Sequence, residues 1–168
     1  MVNKKIIIVK PQTKERFFNA IKNDDIEKIK NIVESEVPIV DTQCIDDALV
    51  IALENGNWEM VKYLMEHGAN VNTKYKYKDN NHRDITKTAL IIASEKENWG
   101  LVKYLIEKGA NINYKGGYNH YGYSSYDNKN YKTVLIIAAE KENLEMVKYL
   151  VEKGANINAE YEYNTALS

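Results

Sequence analysis

Residues Thr88 to Asn113 read TALIIASEKENWGLVKYLIEKGANIN, and residues Thr133 to Asn158 read TVLIIAAEKENLEMVKYLVEKGANIN. Twenty of the 26 positions are identical. A third copy runs from Asp47 to Asn72 (DALVIALENGNWEMVKYLMEHGANVN). A fainter fourth, Phe17 to Glu34 (FFNAIKNDDIEKIKNIVE), puts Ala20, Ile26, Ile29 and Ile32 under Ala52, Trp58, Val61 and Leu64. Thr165-Ala166-Leu167 opens one more copy. Self-similarity of this kind marks a repeat architecture.

Each copy encodes a helix pair. Leu90, Ile91, Ala93 and Ser94 place apolar and small residues at helical spacing, which predicts a short helix able to pack closely. Glu97-Asn98 interrupts it. A second helix follows, with Trp99, Val102, Leu105 and Ile106 on one face and Lys103, Glu107 and Lys108 on the other. Gly109 stands where a left-handed residue ends a helix. Two such short helices cannot bury their own apolar faces, so neighbouring copies must stack into a shared core.

The chain resembles the ankyrin-repeat family over roughly residues 14 to 168. The T-x-L-x-x-A opening is matched at Thr88/Leu90/Ala93 and Thr133/Leu135/Ala138, and the G-A-x-x-N ending at Gly68/Asn72, Gly109/Asn113 and Gly154/Asn158. The resemblance implies an all-α, ankyrin-type α-solenoid of about four helix-turn-helix repeats with extended β-turn finger loops. The expected division is an N-terminal arm (1–13), a capping repeat (14–46), three repeats (47–87, 88–132 and 133–164) and the start of an incomplete one (165–168). The family's T-P-L-H has Ala48, Ala89, Val134 and Ala166 in place of proline, a divergence expected to loosen the set. The glycine between the two helices survives only as Gly56; Asp24, Glu97 and Glu142 occupy it elsewhere. Either those residues accept a left-handed backbone at about 1 kcal/mol each, or Asn98 and Asn143 take it one residue later.

The copies differ in spacing. Start-to-start distances are 41 residues (Asp47 to Thr88), 45 (Thr88 to Thr133) and 32 (Thr133 to Thr165). The extra length falls in the fingers, TKYKYKDNNHRDITK (Thr73 to Lys87) and YKGGYNHYGYSSYDNKNYK (Tyr114 to Lys132), and insertions in a solenoid gather on one face, often the binding face. Ten of the 13 tyrosines lie in fingers: Tyr75 and Tyr77, then Tyr114, Tyr118, Tyr121, Tyr123, Tyr126 and Tyr131, then Tyr161 and Tyr163. Tyr63, Tyr104 and Tyr149 share one position in the second helix and read as structural. Tyrosine mixed with Gly, Ser and Asn offers stiff contact area with adaptable polar neighbours, as binding loops do. The plainer reading is an AT-rich genome, with solvated insertions whose Tyr75-Lys76-Tyr77 and Tyr161-Glu162-Tyr163 alternation builds simple hairpins. Such a bias would enrich Phe too, and there are only two.

Composition limits the functions. The net charge of −1 removes any case for nucleic-acid binding through bulk charge. The run Ile6 to Val9 is too short for a signal peptide or a membrane span, and no later stretch approaches the length needed. With a single cysteine, Cys44, this predicts a soluble cytoplasmic protein. No catalytic, cofactor or metal constellation stands out. His67, His82 and His120 form no ligand pair, Cys44 has no neighbouring His, and Gly116-Gly117-Tyr118 lacks the lysine and helix of a phosphate loop. His67 aligns with Lys108 and Lys153 and reads as solvent-facing.

The fingers are nonetheless basic, at +3 for Thr73 to Lys87 and +2 for Tyr114 to Lys132. Lysines interleaved with tyrosines could meet an acidic protein surface, or stack on single-stranded RNA or DNA. With one arginine among the finger cations, protein is favoured. The expected partner-binding residues are therefore Tyr75, Lys76, Tyr77, Lys78, Arg83, Tyr114, Lys115, Tyr118, Tyr121, Tyr123, Tyr126, Lys129 and Tyr131. Glu95, Lys96, Glu140 and Lys141 join them on the concave helix face. The reading is a non-catalytic adaptor or inhibitor, such as a bacterial, phage or viral effector that blocks a host or defence enzyme. The alternatives are nucleic-acid binding by the same fingers, or a regulatory fragment of a larger ankyrin protein. Lys14, Arg16, Lys22 and Lys28 make the first copy a polar cap. Leu144, Val147, Leu150 and Val151 of the last full copy are expected to have an incompletely covered side, open to self-association.

Overall fold

One backbone device closes the first helix of every pair. The computed structural model describes residues 11–34, 42–78, 84–119 and 131–158. Its helices are α1 (Pro11–Lys22), α2 (Ile26–Val33), α3 (Thr42–Asn55), α4 (Trp58–Glu66), α5 (Ala89–Glu95), α6 (Trp99–Glu107), α7 (Val134–Glu140) and α8 (Leu144–Glu152). At the ends of α1, α3, α5 and α7 a residue with positive φ appears: Asp24 (54°), Gly56 (71°), Glu97 (57°) and Glu142 (54°). The next N–H then reaches back to an alanine carbonyl, as from Asp25 to Ala20, Asn57 to Ala52, Asn98 to Ala93 and Asn143 to Ala138, at 2.9–3.0 Å. This is a Schellman closure, with an acidic residue at the position glycine prefers in three of the four turns.

The residue that completes each closure also starts the next helix. The side chains of Asp25, Asn57, Asn98 and Asn143 accept from the N–H groups of Lys28, Met60, Leu101 and Met146. Asn98 and Asn143 have φ near −85° as N-caps. The left-handed position therefore stays on Glu97 and Glu142, which settles the choice left open by the sequence. The second helices α4, α6 and α8 end on glycine, with Gly109 at φ 89° and the Ala110 N–H bonded to the Leu105 carbonyl at 2.9 Å.

The chain divides into two units, Met1–Asn70 and Val71–Ser168. In the first, α1 packs on α2 and α3, and α3 on α4. Phe17, Ile21, Ile29, Leu49, Leu53, Met60 and Leu64 fill the interior. The first helix reaches back to Pro11, inside the stretch expected to be an arm. A proline suits a first helical position, where its missing N–H leaves no bond unmade.

In the second unit α5 packs on α6 and α7, and α7 on α8. Leu90, Ile91, Leu101, Leu105, Met146 and Leu150 are buried. Asparagine side chains tie successive repeats. Asn72 Oδ1 accepts from the Asn111 N–H at 2.8 Å while its amide donates to the Gly109 carbonyl. Asn113 repeats the arrangement with the Asn156 N–H and the Gly154 carbonyl. This explains why the recurring ending needs Asn at that offset.

The all-α expectation needs one correction. The described parts of the fingers form an antiparallel sheet of β1 (Tyr75–Lys78), β2 (Asp84–Lys87), β3 (Gly116–Asn119) and β4 (Tyr131–Lys132), in that order. Leu150 corrects a second expectation: it is buried, while Leu144, Val151 and Ile157 are exposed.

Candidate functional site

The finger sheet rests on the helices through alternation. Tyr75 pairs across with Lys87, Tyr77 with Ile85, and Ile85 in turn with Tyr118. Tyr75 and Ile85 are buried, whereas Lys76 and Lys78 are exposed. Tyr75 was expected to contact a partner; at 4% exposure it belongs to the interior, because successive strand side chains take opposite faces. Gly116 and Gly117 of β3 are buried as well. A Cβ on Gly116 would come within 3.0 Å of Ile91 Cγ1, so the missing side chain lets the strand settle onto α5. The Gly-Gly pair is a packing feature, and only the contact with Ile91 reveals it.

Ion pairs join the base of each finger to the end of the following helix. Lys87 Nζ lies 2.5 Å from Glu95 Oε2, and Lys132 Nζ lies 2.7 Å from Glu140 Oε2. Lys141 Nζ reaches Glu97 Oε1 in the preceding repeat at 2.5 Å. Between them runs a groove of about 330 Å³, with Ile85, Ile137 and the Gly116–Gly117 backbone in its lining. Each pair is partly exposed and worth no more than about 1 kcal/mol. Their effect is positional: strand, helix end and neighbouring repeat present one wall of alternating charge. Lys87 and Lys132 are thus turned inward, and the fingers offer less positive charge than their composition implied.

A second cluster sits beside this wall. Lys74 Nζ lies 5.6 Å above the Tyr114 ring, a cation–π geometry. Burial raises the Tyr114 hydroxyl above its ordinary pKa of 10.0, and the proximity of Tyr131 adds to the rise. Of the expected contact residues, Tyr114 and Tyr131 come together here, half-buried, with Lys115 exposed nearby in sequence. Glu95, Lys96, Glu140 and Lys141 are all exposed at the helix ends, three of them within the ion pairs. Tyr77 lies in β1 and Tyr118 in β3, with side chains outside the described set. Arg83, Tyr121, Tyr123, Tyr126 and Lys129 also lie outside the described residues, as do His82 and His120.

The helix tyrosines are half-buried, as their repeat position implied. Lys103 and Lys153 stand over Tyr149, and Lys108 over Tyr104. Tyr63 donates to Glu34 Oε1 at 3.3 Å, and its ring stacks against His67 with centroids 4.0 Å apart. His67 is therefore half-buried against Tyr63 and not the solvent-facing residue expected.

Among the described residues no cluster of three or more His, Cys, Asp or Glu side chains is placed to hold a metal. Cys44 is buried. No described helix is long and apolar enough to cross a membrane.

Residues 17–116 and 118–168 match the family model for ankyrin repeats, in three copies. One similar protein is the probable palmitoyltransferase AKR2 of Saccharomyces uvarum, 38% identical over 60 residues, which cover 34% of this chain and 8% of that protein. The likeness is confined to a small part of a much longer relative. Ankyrin repeats are generic protein-interaction modules, typically without catalysis. The recurring turns, the asparagine bridges and the family match agree: the chain belongs to the ankyrin-repeat family.

Proposed function

We propose that the chain is a non-catalytic adaptor or inhibitor that holds a partner protein between the finger sheet and the exposed ends of α5 and α7. The observation that carries this reading is the wall made by Lys87–Glu95, Lys132–Glu140 and Glu97–Lys141. It turns fingers and helix ends into one groove of mixed charge with Ile85 and Ile137 in its lining. Such a lining suits a polypeptide, which brings both charges, amide groups and apolar side chains. It suits a polyphosphate backbone poorly, since two finger lysines already face glutamates. The tyrosine-rich insertion in the sequence between β3 and β4 would supply further contact area. In a cell such a module would recruit a protein or occlude the active site of a host or defence enzyme.

The test is to replace residues 120–130 with a short turn and retain β3 and β4. Affinity capture from the native host by the full chain and by this variant is then compared. The shortened chain should keep its helical circular dichroism and lose the captured protein. An unchanged set of captured proteins would dismiss the finger contribution. Retention on single-stranded oligonucleotides that falls steeply with salt would point to nucleic acid instead.

A further inference from the structure

The two finger lysines of the groove stand level with each other across the sheet. Thr86 of β2 faces Gly117 of β3, so Lys87 comes opposite Gly116, and Gly116 in turn faces Lys132 of β4. Residues opposite one another in a sheet project to the same face, which puts Lys87 and Lys132 in one row. The residue between them is Gly116, so no side chain divides the row. Neighbouring strands lie about 4.8 Å apart, and two such steps separate the lysine backbones by about 9.6 Å. Their partners Glu95 and Glu140 end α5 and α7, helices that pack on each other. Packed helices stand about 8–10 Å apart. The groove therefore has a cationic row on its finger side and an anionic row on its helix side, with nearly the same step. Lys141, also on the helix side, is matched by Glu97.

A chain lying along these rows meets both members of a row only if its side chains return to one side at that step. A β-strand returns every second residue, after about 6.6 Å, and falls short. An α-helix about 10–12 Å across occupies roughly 400–600 Å³ per turn, more than the groove of about 330 Å³ holds. A polyproline II segment returns every third residue, after about 9.3 Å, and matches.

We propose that the groove takes a polyproline II segment of the partner protein, with acidic residues three apart facing Lys87 and Lys132. Basic residues three apart face Glu95 and Glu140, and the remaining face carries proline or aliphatic side chains towards Ile85 and Ile137. This rests on the groove being a protein-binding site and specifies which part of the partner enters it. No existing ion pair has to break. An ammonium carries three donors and a carboxylate about four acceptor sites, so each can keep its partner and hold one more. A segment charged with one sign alone would be attracted by one row and repelled by the other. Sign and spacing together thus select the segment.

Fluorescence anisotropy on the 168-residue chain tests this with dye-labelled peptides. The probe is three repeats of Glu-Lys-Pro. Its control has the same composition, with Glu and Lys alternating and the prolines gathered at one end. The probe should bind about tenfold more tightly than the control, as two well-placed charge contacts allow, and more weakly as salt is added. Replacing its Glu by Gln, or its Lys by Gln, should each weaken binding about tenfold with the protein unaltered. Lys87→Gln with Lys132→Gln, and separately Glu95→Gln with Glu140→Gln, should do the same while circular dichroism is unchanged. Lys148→Gln, at an exposed position of α8, should leave binding as it was. Equal affinity for probe and control overturns the proposal, and so does a probe indifferent to the lysine substitutions. If the probe fails to bind while a captured host protein is lost on those substitutions, the three-residue pattern falls and the groove still holds a protein. Capture that survives both pairs of substitutions removes the groove itself, and this proposal with it.

Discussion

Two residues show how single side chains set local stability. Glu142 sits at φ 54° in the turn between α7 and α8, where a β-carbon crowds the following carbonyl. Glycine removes that clash but gains freedom in the unfolded chain, so Glu142→Gly should stabilise by about 0.5 kcal/mol. The converse, Gly56→Glu, should destabilise by about 1 kcal/mol, and urea-unfolding midpoints measure both. Tyr63 responds to pH. Burial and the nearby Glu34 carboxylate, to which its hydroxyl donates, push its pKa from 10.0 up to about 12. The folded chain thus holds the proton more tightly than the unfolded one. Stability from this group is full below pH 10 and is lost as pH climbs towards 12. Thermal unfolding of the parent chain should weaken more across that interval than unfolding of Tyr63→Phe; equal slopes would show that the phenol is not linked to folding.

Repeat elements reveal what the sequence carried and what it withheld. The helix pairs were legible because Leu105, Val102 and their sister residues recur at helical spacing and glycine ends α4, α6 and α8. The fingers were legible only as tyrosine-rich insertions. Register across β2 and β3 joins residues about 30 apart in sequence, and no local pattern encodes that pairing. For the same reason Tyr75 read as exposed and the Gly116-Gly117 pair as featureless. Their roles depend on which face meets α5. The groove was half visible: Glu95, Glu140 and Lys141 were expected at the site, whereas their lysine and glutamate partners come from neighbouring strands and repeats. The sheet-to-helix contact is open to test by a double-mutant cycle. Gly116→Ala should destabilise by about 1–3 kcal/mol through overpacking on Ile91. Ile91→Ala removes both γ carbons that the new Cβ would meet and costs about 2–5 kcal/mol alone. If the two residues meet, the pair together will cost less than the sum of the single changes by about 0.5 kcal/mol or more.

At the scale of the whole molecule, near-identical repeats make it possible to separate sequence from position. Leu90 and Ile91 are buried in the third copy, while Leu135 and Ile136, the same residues in the last copy, are partly exposed. Ser94 is buried and satisfied by the Leu90 carbonyl at 2.7 Å, whereas its counterpart Ala139 is exposed. A neighbouring repeat accounts for the difference, since burial in a stacked array comes largely from the next unit. Leu150 escapes this rule, being fully buried like Leu105; Leu144, Val151 and Ile157 obey it, with 73%, 43% and 70% exposure. Substitutions should divide the same way. Leu150→Ala empties a closed site and should cost about 2–5 kcal/mol, as Leu105→Ala should in the copy before it. Leu144→Gln and Val151→Thr touch little and should each stay within about 0.5 kcal/mol of the parent. Equilibrium unfolding in urea reads all four. A large loss on Leu144→Gln would mean that something covers this face in solution, and concentration dependence of that loss would identify the cover as another molecule, because stability gained from binding grows with the concentration of the partner.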